Sequence, residues 1–241
     1  MNKKILKQKI INILAESMLH YDARLRFSKF IKSEDLILDV GALSSRLTNT
    51  LKNKVIAVDL PKKGRFGFSK NSLAKLCQRE NLEMSYADVV NLPFRENSFN
   101  IIICTEVLEH IHKDHFAVDE ILRVLKPNGY LLITVPHQER VPFPKCGIKE
   151  HYRHYYKKDL ISFFSDHQII LLQDRFKFSE DWIINKLNKK FLNSRKNIDL
   201  FFTFLAFIFK IFYILILRSL SESIFKLRPG SNLILIVKKK S

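Results

Sequence analysis

Short, continuous apolar runs constrain the fold of this chain more than any other feature of its sequence. Four of them lie at 36–40, 54–59, 99–104 and 129–135. Runs of Val, Ile and Leu without polar alternation are typical of strands that are buried on both faces. The sequence between the runs, including 69–79 and 112–125, favours helices, and strands that alternate with helices predict a parallel sheet built from βαβ units.

Acidic residues stand where the predicted strands end. Asp39 and Asp59 close the first two runs, and Asp88 follows a further strand at 82–86. Ligands of open α/β sheets bind at the carboxyl ends of the strands, where an acid about 20 residues beyond the first strand is placed to accept hydrogen bonds from ribose hydroxyls. One such acid could simply cap a turn or a helix. Three acids in this order favour ligand binding instead.

The composition excludes several classes of protein. With 46% hydrophobic residues among 241, the chain can bury a core, which excludes a disordered tail or a low-complexity chain. Its three cysteines lack a CxxC spacing, which argues against a disulfide scaffold and a zinc ribbon. Residues 1–16 lack the apolar core of a secretory signal, so we expect a cytoplasmic protein.

The basic charge of the chain is unevenly distributed. The net charge is +17, of which residues 1–32, 140–197 and 198–241 carry +6, +7 and +5, whereas residues 33–139 carry −1. Excess basic charge favours a polyanionic partner, either nucleic acid or an anionic membrane surface. The partition predicts a neutral catalytic body with basic attachments.

A series of segments resembles the class I S-adenosylmethionine-dependent methyltransferases, in the small-molecule branch typified by quinone-biosynthesis enzymes. They read ILDVGALSSRLT (37–48), VIAVDL (55–60), ADVVNLPF (87–94), FNIIICTEVLEHI (99–111), EILRVLKPNGYLLITVPH (120–137) and EHYRHYYKKDLISFF (150–164). The resemblance implies an α/β fold with a Rossmann-like, doubly wound, seven-stranded sheet. In that sheet the strands are mostly parallel and the last strand is antiparallel. It also implies S-adenosyl-L-methionine as the cofactor.

The resemblance implies nine cofactor-binding residues at the ends of the first four strands. They are Asp39, Gly41 and Ala42 beside the methionine part, Asp59 and Leu60 at the ribose, Asp88 and Val89 at the adenine, and Cys104 and Thr105 beneath the cofactor. The family's first loop usually reads G-x-G-x-G, whereas only Gly41 remains here, and Leu43 brings a bulky side chain into the loop. We interpret the loop as a variant that still binds the cofactor; weakened or lost binding is the alternative.

Two histidines are the predicted catalytic residues. His110 lies just beyond the fourth strand, and His151 lies in a segment that borders the acceptor pocket in related enzymes. A histidine near the acceptor can act as a general base on a hydroxyl. As alternatives, His110 could pair with Glu109, and His154 could replace His151.

Neighbouring residues leave two further questions open. Tyr152, Arg153 and Tyr155 could bind an acidic or sugar-like acceptor. The histidines at 110, 112 and 115 form an HxHxxH pattern without an identifiable metal-site context. Methyl transfer in the family that the sequence resembles needs no metal, so we expect no metal site here.

A phenylalanine-rich stretch at 198–220 could by its length cross a membrane. Basic residues on both flanks argue against a span, and so does the need for the last strand, 232–238, to return to the sheet. We expect a helix in the membrane interface, or else one buried against the sheet or in a dimer. The predicted organisation is then an amphipathic helical region at 1–32, a methyltransferase domain at 33–176 plus 231–240, and a hydrophobic helical insert at 177–230.

The function expected from these features is methyl transfer to a small or lipid-linked acceptor, as O-methylation, at the cytoplasmic membrane surface. The alternatives are a non-catalytic, methyltransferase-like binding protein and an RNA methyltransferase. A nucleic-acid partner is the less favoured one, since neither an RNA-binding module nor an Asn/Asp-Pro-Pro-aromatic tetrad is visible. Homo-oligomerisation stays open.

Overall fold

The computed structural model describes residues 27–42, 48, 51–61, 80–139, 142–144, 150–174 and 232–241. The strands in these ranges are β1 (Ile37–Val40), β2 (Val55–Asp59), β3 (Leu82–Tyr86), β4 (Phe99–Thr105), β5 (Leu125–Pro136), β6 (Gln168–Asp174) and β7 (Asn232–Lys238). The helices there are a one-turn 3₁₀ helix (Leu108–His110), α1 (Asp114–Val124) and α2 (Lys157–Ser162).

The strands form one seven-stranded sheet in the order β3-β2-β1-β4-β5-β7-β6. Strands β1 to β5 pair in parallel, and β7 runs antiparallel to both of its neighbours. This confirms the predicted sheet, including its antiparallel last strand. The chain order reverses between β1 and β4, so the carboxyl ends of these two strands flank the crevice where such sheets bind ligands.

Both faces of the sheet are buried, as the continuous apolar runs predict. Ile102 packs in one core cluster together with Ile121 of α1, whereas Ile103 packs in a second cluster together with Phe27. Successive residues of a strand point to opposite faces, so a strand that is covered on both sides needs apolar residues at every position.

Several predicted features lie outside the described residues. These are the insert at 177–230 with its apolar stretch, the helix predicted over 69–79, and the N-terminal helical region up to residue 26. Within the described ranges, no helix has the length and apolarity needed to cross a membrane. All described residues belong to one compact unit. The predicted domain boundaries stay predictions.

Candidate active site

The turn after β1 is built on a buried acid and a glycine. Asp39 is 4% exposed, and its Oδ2 accepts a 2.7 Å hydrogen bond from Thr48 Oγ1. Gly41 has a φ of +65°, and a Cβ at this position would clash with Val107 Cγ2. The buried Asp39 carboxylate therefore ties β1 to Thr48, and Gly41 permits a left-handed turn against Val107.

Asp59, the last residue of β2, and Asp88, two residues after β3, lie at adjacent strand ends. The backbone N–H of Ala87 donates to the Asp59 carbonyl at 3.1 Å, which holds the two ends together. Asp59 Oδ1 accepts from the N–H of Leu60 at 2.8 Å, and Asp88 Oδ1 accepts from the N–H of Val90 at 3.1 Å. A carboxylate offers about four lone-pair sites, so the exposed Asp88 can accept further hydrogen bonds.

The other predicted cofactor-binding residues differ widely in exposure. Ala42 and Val89 are buried, Thr105 is half-buried at the end of β4, and Leu60 is exposed. Cys104 is fully buried, and burial raises the pKa of its thiol above the ordinary range. Cys104 is therefore a core residue whose thiol stays protonated.

The structure brings the two predicted catalytic histidines together. The 3₁₀ helix after β4 carries His110, whose Nδ1 donates to the Glu150 carbonyl at 3.0 Å. The rings of His110 and His151 meet edge to face, with 4.6 Å between their centroids. His151 Nδ1 in turn lies 2.7 Å from His154 Nε2. The three histidines form a continuous contact chain.

Glu109 also belongs to this cluster, which the sequence did not indicate beyond its position next to His110. Its side chain is 1% exposed, and its Oε2 has no hydrogen-bond partner among the residues that the structure describes. Its Oε1 lies 3.8 Å from His110 Nε2. Burial, followed by the nearby charge of Glu106, raises the pKa of Glu109 well above its ordinary value.

The environment also changes the protonation of His151. Burial, followed by the proximity of His110 and His154, lowers the pKa of His151 to about 4. The imidazole of His151 is therefore neutral near pH 7, and it can offer a nitrogen lone pair.

A second buried acid holds the segment that carries His151. Asp114 Oδ1 accepts from Arg153 Nη1 at 2.7 Å, and its Oδ2 accepts from the Tyr155 hydroxyl at 2.8 Å. Burial, followed by the bond to Asp114, raises the pKa of the Tyr155 hydroxyl. Arg153 and Tyr155 thus anchor the segment, whereas Tyr152, 52% exposed, is open to an acceptor.

Part of the chain is similar in sequence to known methyltransferases. Residues 38–133 match the family described as the methyltransferase domain. The chain is 41% identical over 66 residues to the tRNA (carboxymethyluridine(34)-5-O)-methyltransferase of Arabidopsis thaliana, covering 26% of this chain and 16% of that protein. It is 28% identical over 113 residues to the demethylmenaquinone methyltransferase of Clavibacter sepedonicus, covering 47% of this chain and 44% of that protein.

A solved structure matches most of the chain. It is the 1,6-didemethyltoxoflavin-N1-methyltransferase of Burkholderia thailandensis, crystallised with bound 1,6-didemethyltoxoflavin and S-adenosylhomocysteine. Its TM-score is 0.59 at 15% identity, and the match covers 95% of this chain and 82% of that one. At this identity the likeness shows the fold, and the chain spans less than half the length of the two sequence relatives. Residues 38–133, less than half of the chain, match a methyltransferase domain, which agrees with the resemblance to S-adenosylmethionine-dependent methyltransferases seen in the sequence.

Proposed function

We propose that this chain transfers a methyl group from S-adenosylmethionine to a hydroxyl oxygen of a small or lipid-linked acceptor, at the cytoplasmic surface of a membrane. One observation carries the proposal. Gly41, in the turn after β1, packs against Val107, three residues before His110. This turn and the histidine cluster therefore adjoin at the crevice between β1 and β4.

The residues at the strand ends fit the chemistry of the cofactor. Asp59 would accept hydrogen bonds from the ribose hydroxyls, and Asp88 would accept one from the adenine amine. Gly41 would let the backbone approach the methionine part. When bound, the cofactor supplies an electrophilic methyl group attached to a sulfonium sulfur. The rest of the cofactor is the leaving group, a neutral thioether.

The histidine cluster of His110, His151 and His154 supports an acceptor site next to the turn after β1. His110 and His151 lie together near the end of β4, and the exposed Tyr152, whose ring meets that of His112, offers an aromatic side chain to an acceptor. Holding an acceptor hydroxyl in line with the methyl group can supply several kcal/mol of the barrier reduction, about 7–11 in the best intramolecular systems. The name of the plant relative specifies O-methylation, and that of the bacterial relative specifies a quinone precursor.

The membrane part of the proposal is supported by the sequence. The basic excess lies outside the neutral stretch 33–139, and the apolar stretch 198–220 lies between basic flanks. A basic segment gains about 1 kcal/mol per Lys or Arg at an anionic lipid surface. We expect cosedimentation with phosphatidylglycerol vesicles that weakens at high salt.

Two other functions remain as alternatives. An RNA methyltransferase is favoured by the plant relative, whose name specifies a tRNA nucleoside. A non-catalytic binding protein is favoured by the departure from G-x-G-x-G after Gly41. The two alternatives make different predictions for cofactor binding and for the fate of the methyl group.

The test incubates the full chain and tritiated S-adenosylmethionine with a bacterial quinone and lipid extract or with bulk tRNA. We expect label in the solvent-extractable fraction. Asp59→Asn should weaken cofactor binding in calorimetry about tenfold or more, because it removes a charged acceptor. The matched control is Glu83→Gln, an exposed acid near the amino end of β3. Label only in RNA would favour the first alternative, and no binding at millimolar cofactor would favour the second.

A further inference from the structure

We infer that Glu109, His110 and His151 bind a divalent transition-metal ion, and that this ion holds an oxygen of the methyl acceptor. The first half concerns this chain's own residues alone. The second half rests on the proposed function. The inference departs from the expectation of a metal-free site that the sequence favours.

The geometry of the three side chains carries the first half. Each offers one ligand atom, and these atoms all lie within 4.8 Å of one another. In a tetrahedral zinc site with bonds of about 2.0–2.1 Å, ligand atoms lie about 3.4 Å apart. His110 Nε2 and Glu109 Oε1, at 3.8 Å, already approach that spacing. Small side-chain rotations would bring the three atoms onto one ion.

The surroundings of the histidines match those of metal ligands. A metal-binding histidine usually donates its other ring N–H to a carbonyl, a carboxylate or water, which fixes its tautomer. His110 does so through Nδ1 to the Glu150 carbonyl, and this leaves the lone pair on Nε2, the nitrogen nearer Glu109. His151 is held by the buried His154. Both rings are therefore oriented before any ion binds.

Glu109 is a second and independent indication. Its side chain is almost completely buried, yet Oε2 accepts no hydrogen bond from the described residues. A buried carboxylate with an unpartnered oxygen is costly, and a cation bound by that carboxylate would balance its charge and lower the cost. Glu106 shows the contrast, because its two oxygens accept hydrogen bonds from Thr134 and Asn232.

The ligand set indicates the class of ion. Two imidazoles and one carboxylate suit Zn²⁺, Mn²⁺, Fe²⁺ or Co²⁺, whereas Mg²⁺ and Ca²⁺ prefer oxygen ligands. Three protein ligands leave at least one coordination position open. The exposed His112 and His115, which complete the HxHxxH pattern, do not belong to the set. The third ligand of the set, His151, lies 41 residues further along the chain than His110.

An open position next to the cofactor crevice gives the ion a role. A coordinated hydroxyl has a lowered pKa, so it loses its proton to water more readily. The resulting oxygen then forms a bond to the methyl carbon as the carbon–sulfur bond breaks. His110 and His151 act in this scheme as ligands that position the acceptor, and neither takes its proton.

The test measures metal binding on the untagged full chain after treatment with EDTA. Calorimetry with Mn²⁺ and with Zn²⁺ should give one ion per chain, and Mg²⁺ should bind much more weakly. Glu109→Gln and His151→Ala should each weaken Mn²⁺ binding about 100-fold or more, since removing even an outer partner costs about 10–100-fold. The control His112→Ala replaces an exposed neighbouring histidine and should leave the affinity unchanged.

The results separate this inference from the proposed function. S-adenosylmethionine should bind the EDTA-treated protein as it binds the untreated one, and methyl transfer should stop with EDTA and return with Mn²⁺. If methyl transfer stayed intact in EDTA, the inference of a metal site would be wrong and the proposed function would still hold. The metal inference would also be wrong if Glu109→Gln bound Mn²⁺ as tightly as the unchanged protein. It would likewise be wrong if His112→Ala weakened Mn²⁺ binding as much as His151→Ala does. Loss of cofactor binding in both preparations would instead overturn the proposed function.

Discussion

Two buried acids, Glu109 and Asp114, lie five residues apart and have opposite surroundings. Asp114 is 4% exposed and accepts hydrogen bonds from Arg153 and from the Tyr155 hydroxyl. Glu109 is 1% exposed, but its Oε2 accepts no hydrogen bond from the described residues. Its other oxygen, Oε1, lies 3.8 Å from His110 Nε2. Among the described residues, both oxygens of Asp114 therefore have hydrogen-bond donors, whereas Oε2 of Glu109 has none.

This difference separates a structural acid from a functional one. Buried polar groups in proteins are nearly always hydrogen-bonded, so an exception calls for an explanation such as a missing ion or a catalytic role. Asp114 fixes the segment 150–155 against α1, which gives His151 its place beside His110. Glu109 carries a cost in stability that a bound cation would remove. The comparison therefore predicts effects of opposite sign on folding.

The largest effect is expected for Asp114→Asn. It removes the charge that pairs with Arg153 and one of the oxygens that accept from Arg153 and Tyr155. Breaking a buried pair costs about 3–5 kcal/mol, and we expect about 3 here because Arg153 is partly exposed. Urea denaturation measures the free energy of unfolding. Asp119→Asn, at an exposed position of the same helix, is the control, and an equal loss there would remove the special role of Asp114.

The fold was largely predictable from the sequence because its signals are local. The continuous apolar run 99–104, for example, needs no partner to indicate a strand that is buried on both faces. The roles of Glu109 and Asp114 were not predictable, since they depend on residues about 40 positions away. Whether Asp114 meets Arg153 is decided by how β4, α1 and the segment 150–155 pack. His110 and His151 were found as single candidates, but their contact emerged only from that packing.

The second effect is expected for Glu109→Gln in protein that has been freed of metal. Replacing a buried carboxylate by a neutral amide removes most of the desolvation cost, so we expect the free energy of unfolding to rise by about 1 kcal/mol. Glu106→Gln is the matched control at a carboxylate whose two oxygens both accept hydrogen bonds, from Thr134 and from Asn232. We expect no comparable gain there, because this carboxylate already has partners. A loss of stability in Glu109→Gln would mean that this carboxylate is satisfied and that the contrast with Asp114 does not hold.

The smallest effect is expected for Arg153→Lys, which tests whether Asp114 needs the arginine fork or only a positive charge. Arg153 donates through Nη1 to Asp114 and through Nη2 to the His112 carbonyl, and a lysine cannot reproduce both bonds in that geometry. We expect a loss of about 1 kcal/mol in urea denaturation, because water can reach part of the side chain. If the two residues act as one unit, Arg153→Lys should cost almost nothing further in an Asp114→Asn background. Additive losses would show instead that Arg153 stabilises the segment independently of Asp114, chiefly through the His112 carbonyl.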